Sequence, residues 1–170
     1  MVISQLPRLV LLTIITSIAV FAEPKEFTAK VVGISDGDTI SVLHDDVSIM
    51  VKFWGIDSPE SGQAFGKRAK QFTADLAFGK VVMVLVRDID RYGRKVADII
   101  LPDGRNLNQE IVKAGYGWWF VRYAPQDESL ARLEMDAKDN RRGFWRDENP
   151  VLPWEWRKGG KSLPRALVRP

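Results

Sequence analysis

A period of two in the first half of the chain narrows the fold more than any other feature. Apolar residues often alternate with polar ones over 25–43, and the alternation resumes over 47–56, with His44-Asp45-Asp46 between the two runs. Successive side chains of a strand point to opposite faces, so this pattern predicts half-buried strands, two or three of them in an antiparallel meander. The chain has no cysteine, so no disulfide can hold these strands together and a packed core must do so. A hydrophobic share of 45% against 28% charged residues is ordinary for one compact domain and excludes a disordered or fibrous chain.

The period then changes. Over 66–78 the apolar positions Ala69, Phe72 and Leu76 fall on one helical face and Gly79 follows as a stop, which predicts a first helix. The unbroken apolar run 81–86 predicts a strand buried on both sides, 90–94 a turn, and 96–101 the next strand. Asn106 and Gln109 stand three apart, as N-cap and N3 do, and open a short second helix that ends near Gly115. Residues 127–140 carry Leu130, Leu133 and Ala137 on one face and predict a third helix. Beyond Pro150 the composition shifts to proline, tryptophan, glycine and basic residues, so a partly ordered, irregular tail is expected over 149–170. Strands first, one helix between strands and two helices at the end make this an α+β chain, and a five-stranded oligonucleotide-binding (OB-fold) barrel with three helices fits that order.

At the N-terminus, 9–22 is nearly all apolar, follows the single charge of Arg8 and ends in Val20-Phe21-Ala22 before a polar stretch. That layout predicts a signal peptide over 1–22, with an uncleaved anchor as the alternative. The domain over 25–148 is therefore expected to be secreted or periplasmic, touching a membrane only if the leader stays attached. The formal net charge of +3 is weak evidence of any partner, but its distribution is uneven. Lys67, Arg68, Lys70, Lys80, Arg87, Arg91, Arg94 and Lys95 outnumber Asp75, Asp88 and Asp90, and from Arg157 onward there is no acid at all. Such stretches attract phosphate backbones; the plainer reading of a charge run is a solvated face.

Three short motifs carry the chemistry. Asp36-Gly37-Asp38-Thr39 sets two carboxylates two apart, with a glycine that permits a tight bend. Asp57-Ser58-Pro59-Glu60 places two more acids at the end of an apolar strand. Hard oxygens of this kind suit calcium or magnesium, and one histidine with no thiolate disfavours zinc. Asp90-Arg91-Tyr92-Gly93-Arg94 offers two planar donor forks beside an aromatic ring, a match for phosphate oxygens. Alone, the first two motifs are ordinary Asx turns and the third a charged hairpin turn.

In order, and together with Val51-Lys52-Phe53-Trp54-Gly55-Ile56 ahead of Asp57, these motifs resemble the three signature blocks of the thermonuclease (staphylococcal nuclease-like) family over roughly 27–145. The resemblance implies an oligonucleotide-binding barrel that binds one Ca2+ and hydrolyses DNA and RNA endonucleolytically, leaving 3′-phosphates. It implies that Asp38, Asp57 and the carbonyl of Ser58 hold the calcium, with Asp36 just outside it. Glu60 would hold the attacking water, and Arg94 would stabilise charge on the phosphate. The family's other catalytic arginine falls at position 52, where this chain has lysine. Lysine delivers a point charge without the two parallel hydrogen bonds of a guanidinium. Losing such a bond costs about 3 kcal/mol, on the order of a hundredfold in rate, so Lys52 predicts a slower enzyme rather than a dead one.

Arg91, Tyr92 and Tyr123 are expected to meet the nucleotide, Tyr123 aligning with a pocket tyrosine of the family and Val121 standing where another would be. Trp118 and Trp119 are expected in the core, His44 in an exposed turn, and Trp145, Trp154 and Trp156 as packing anchors for the C-terminal segment. The chain is expected to act as a monomer on nucleic acid, with no stable protein partner. The competing reading is an OB-fold module that binds nucleic acid without cleaving it: Lys52 favours it, while Asp38, Asp57, Glu60 and Arg94 favour the enzyme.

Overall fold

The computed structural model describes residues 25–159. The expected leader over 1–22 and the last residues of the tail lie outside them.

The alternating runs become three strands. The first run divides at Gly37-Asp38 into β1 (Glu26–Asp36) and β2 (Thr39–His44), and the second forms β3 (Val47–Phe53). Asp45 and Asp46 both sit at positive φ, 47° and 62°, which suits the tight twist of a two-residue hairpin and which aspartate tolerates better than most residues. His44 ends β2 beside this turn, its Nδ1 2.9 Å from the carbonyl of Thr28. A two-residue strand, β4 (Ile56–Asp57), precedes helix α1 (Gly66–Ala77). Strands β5 (Val81–Ile89) and β6 (Lys95–Ile100) then return through the predicted turn at 90–94, followed by α2 (Leu107–Lys113), β7 (Trp118–Trp119) and α3 (Glu128–Asp139).

Five strands close into a barrel in the order β1-β2-β3-β6-β5, antiparallel except where β3 runs parallel to β6. This is the expected five-stranded barrel. Its interior is filled by alternate residues of every strand, among them Val31, Ile40, Val42, Val51, Phe53, Val84 and Ile99, each at most 1% exposed. Burying a side chain of this size contributes roughly 1.5–3 kcal/mol, so the barrel interior stabilises the domain without any disulfide. One expectation fails in β5: the run 81–86 is buried on one side only, with Val82 and Val84 inside and Val81 and Met83 exposed at 57% and 43%. A strand in a closed barrel has one inner face, and apolar residues on the outer one preserve β propensity without being buried.

The helix caps follow the sequence. Asn106 accepts the amide of Gln109 at 3.2 Å and Asp127 that of Leu130 at 3.0 Å, each satisfying an otherwise unpaired donor. Helix α1 buries Ala69, Thr73 and Ala77, leaving Phe72 and Leu76 partly covered. The described part of the tail, up to residue 159, is more ordered than expected. A single 3-10 turn at Gly143–Arg146 leads to a fourth short helix, α4 (Pro153–Trp156), and the segment is packed down rather than irregular. Pro153 is buried, and the Trp154 ring stacks on Phe120 with centroids 5.0 Å apart and planes 12° from parallel.

Candidate active site

Two of the three motifs converge at one end of the barrel. The hairpin register places Thr39 opposite Lys52, and Val51 and Phe53 fill the interior, so Lys52 lies on the outer face beside the Asp36–Thr39 turn. That turn is wedged in place. A Cβ at Gly37 would stand 2.8 Å from the Cβ atoms of both Ala69 and Ser58, so only glycine lets α1 and the Ser58 backbone close on it. Thr73 of α1 donates its hydroxyl to the Gly37 carbonyl at 2.6 Å. Helix α1 also seats the second motif: a Cβ at Gly66 would run into the carbonyl of Glu60, so the helix begins directly against that backbone.

Asp57 enters from β4, whose partner β7 aligns it with Trp118. Trp118 is 2% exposed, stacked on Phe144 and edge-on to Trp145. Trp118 is core, as expected, whereas Trp119 is only half-buried, and the Trp118 stack anchors the strand that carries the carboxylate.

Asp38 and Asp57 are both buried, at 1% and 2% exposure. Their oxygens are fully engaged. Asp38 Oδ1 accepts the Lys52 ammonium at 2.6 Å and the Thr39 hydroxyl at 3.1 Å, and Oδ2 accepts the Ser58 amide at 2.5 Å. Lys52 also reaches Asp57 Oδ1 at 3.3 Å. Asp36 stands one step back, taking the amide of Asp38 on its own carboxylate at 3.1 Å. Burial, reinforced by the charge of Asp36 and opposed by Lys52, raises the Asp38 pKa from 3.8 to about 6. For Lys52 burial works against the charge, but Asp38 and Asp57 outweigh it and hold its pKa above the ordinary lysine value.

The second cation in the cluster is one the sequence did not single out as a site residue. Arg157, a hundred residues from Asp57, donates from Nη2 to Asp57 Oδ2 at 2.6 Å and from Nη1 to Asp57 Oδ1 at 3.3 Å and to Glu60 Oε1 at 2.5 Å. Gln63 is a second unforeseen member: its carbonyl oxygen accepts the Glu60 amide at 3.1 Å, while its Nε2 donates to the Val151 carbonyl at 2.5 Å. The acid-free tail and the crowded Pro153-Trp154-Glu155-Trp156 were the only signals, and neither says where the segment lands.

Lys52, Asp36, Asp38, Asp57, Ser58 and Glu60 are thus brought together. Arg91, Tyr92 and Arg94 lie at the turn between β5 and β6, where their contacts are with Asp90 and one another. There Arg94 donates Nε to Asp90 Oδ2 at 2.7 Å, and Arg91 lies 4.9 Å from the exposed Tyr92 ring. Tyr123 is exposed and rests against Phe120, which carries Trp154 on its other contact. Beside Glu60 an open depression of about 550 Å³ is lined by Ser61, Gly62, Gln63, Phe65, Lys67 and Arg68.

A small closed barrel with a buried pair of carboxylates and a flanking glutamate at its rim defines the class of oligonucleotide-binding folds that carry an acidic cluster. The comparisons with known proteins narrow it. Residues 50–147 match the family model described as staphylococcal nuclease homologue. The chain is 41% identical to a micrococcal nuclease of Shigella flexneri over 81% of its own length and 84% of that protein's. It is also 38% identical to an uncharacterized endonuclease of Escherichia coli O157:H7, over 75% of this chain and 83% of the relative. A similar protein of Haemophilus influenzae, another uncharacterized endonuclease, shares 36% identity over 89% and 84% of the two chains. The chain belongs to the staphylococcal nuclease family.

Proposed function

We propose that this protein is a calcium-dependent nuclease that cleaves phosphodiester bonds within DNA and RNA and leaves 3′-phosphate ends, acting as a monomer outside the cytoplasm. The observation that carries the reading is the convergence of Asp38, Asp57 and Glu60, from motifs some twenty residues apart in sequence, on one rim of the barrel. The family membership and the nuclease names of its relatives supply the reaction class. The apolar leader supports export.

The donor chemistry fits a hard divalent cation. Among the described residues, Asp36, Asp38, Asp57 and Glu60 are paired with two cations, Lys52 and Arg157, so carboxylates outnumber cations in the cluster. Ser58 adds a buried hydroxyl with no partner among the described residues. No three acidic, histidine or cysteine side chains among the described residues already point at one centre. Asp38, Asp57 and the Ser58 carbonyl would hold the ion, which would polarise the phosphate and ease deprotonation of a nearby water.

The chain's own residues divide the remaining work. Glu60, about a third exposed, is accessible enough to accept a proton from a water attacking phosphorus. Lys52, between the two aspartates, holds their orientation and offsets their repulsion. The basic depression beyond Glu60, with Lys67 and Arg68, can carry the neighbouring phosphates. Tyr92 and Tyr123 expose rings on which bases can stack.

Incubation of the purified protein with plasmid DNA and with RNA, in calcium or in chelator, tests the reading. Degradation is expected only with calcium, with phosphatase-sensitive 3′ ends on the products. Intact nucleic acid in both conditions, with binding retained, would make the protein the OB-fold binding module instead.

A further inference from the structure

The C-terminal segment delivers a guanidinium to the cluster on a built support. Gln63 links the Val151 carbonyl to the loop that bears Glu60. Pro153 is buried, and Trp154 stacks on Phe120 and meets Trp118 edge-on. Trp118 is itself the register partner of Asp57. The arm is therefore docked on the elements that position both carboxylates, and the α4 turn, closed by the Arg157 amide on the Pro153 carbonyl at 3.0 Å, aims residue 157 at them.

Arg157 meets three carboxylate oxygens, two of Asp57 and one of Glu60. This is more than an exposed ion pair: the contacts span both groups and fix the plane of the guanidinium between them. Its charge is firmly held, chiefly by the hydrogen bonds it donates to Asp57, against the opposing effect of burial, with Glu60 adding to them. Yet 44% of the side chain remains exposed, and Nε–H and the second Nη2 proton meet no described residue. Lys52 is committed to Asp38 and Asp57 and offers no planar fork. Among the described residues, Arg157 is the guanidinium in contact with the cluster.

We propose, resting on the nuclease reading above, that Arg157 is a catalytic residue: anchored by Asp57 and Glu60, it turns its open edge to the scissile phosphate and supplies the bidentate donor that Lys52 cannot. Five donors in a fixed plane let one edge bind the carboxylates while the other meets phosphoryl oxygens, which gain charge as the attacking water adds.

The test uses the full chain as Arg157→Ala and Arg157→Lys, with two readouts: hydrolysis of a short single-stranded DNA in calcium, and binding of that DNA in chelator. Near-UV circular dichroism reports the Trp154–Phe120 stack and so the docking of the arm. Arg157→Ala is expected to lower kcat about a hundredfold or more and to weaken binding several-fold, with the aromatic signal unchanged. Arg157→Lys is expected to recover less than a tenth of the lost rate, because charge alone does not replace the fork. Should the alanine variant undock the arm, the lysine variant decides by the same criterion. Turnover of Arg157→Ala equal to or above wild type overturns the proposal, since Arg157 would then be idle or a plug that a cation must expel. A lysine variant as fast as wild type overturns it too. If the wild type itself leaves DNA intact in calcium, the nuclease reading fails; unchanged binding by Arg157→Ala in chelator would then sink the phosphate contact separately.

Discussion

The rim cluster and the tip between β5 and β6 are made of the same materials, carboxylates facing arginine or lysine, and behave differently. At the tip, Asp90 takes the amides of Tyr92 and Arg94 and the Arg94 side chain, all within four residues and only partly covered. At the rim, Asp57 is 2% exposed and its partners come from five and a hundred residues away. A local ion pair needs only a turn, whereas a buried one needs the whole fold to bring its partners in. Charge that is buried also loses hydration, so each missing partner costs more there than in solvent.

Substitutions can break or sharpen that contrast. The largest effect is expected for Glu60→Gln, which keeps shape and removes the base. Turnover should fall by roughly a hundred- to ten-thousandfold, with oligonucleotide affinity in chelator within a few fold of wild type. Unchanged activity would remove Glu60 from the chemistry. Next comes stability. Asp57→Ala strands Lys52 and Arg157 with fewer counter-charges and should cost on the order of 3–5 kcal/mol in urea denaturation. Loss no greater than for the tip pair would erase the distinction drawn between the two regions.

The pH dependence of folding gives a third effect. Asp38 binds its proton more tightly in the folded chain than in the unfolded one, with a pKa of about 6 against 3.8. Between these values the native state carries the extra proton, so stability falls as pH rises through the window and the cost is complete above it. About two pKa units correspond to roughly 3 kcal/mol. In chelator, Asp38→Asn should therefore flatten the stability profile between pH 4 and 6 and stand above wild type at pH 7. A variant less stable than wild type at pH 7 would show that Lys52 already offsets the full charge.

The smallest effect belongs to the tip. Burial nudges the Asp90 pKa upward, but the hydrogen bonds from Arg94 and the Tyr92 amide hold it below the ordinary value. Its contribution is present at neutral pH and lost as pH falls through the folded value. Because the pair is local and still reached by solvent, Asp90→Ala should shift stability by no more than about 1 kcal/mol, read by thermal melts at pH 7.

Much of this was legible in the residues. Alternation over 25–56 is a direct consequence of one-sided burial in a barrel wall, and Asn106 and Asp127 cap their helices because a short side chain there meets a free amide. The motif acids at 36, 38, 57 and 60 were legible as candidates, since two carboxylates beside a glycine or a proline are rare outside turns and sites. Burial on both sides of 81–86 was a misreading with a simple origin: apolar content cannot distinguish a strand covered on two faces from a barrel strand whose outer face is merely β-favouring.

The chain by itself determined the strands, the three main helices, the barrel's apolar lining and the two acidic motifs, because each depends on periodicity or on neighbours a few residues away. Tertiary structure alone decided that Gly37 and Gly66 are clamped by α1 and the Glu60 backbone. It also decided that Lys52 bridges both aspartates and that an arginine in the basic tail reaches the rim. Those contacts join residues with no shared period, and only the closing of the barrel and the docking of two tryptophan-bearing segments bring them within hydrogen-bonding distance.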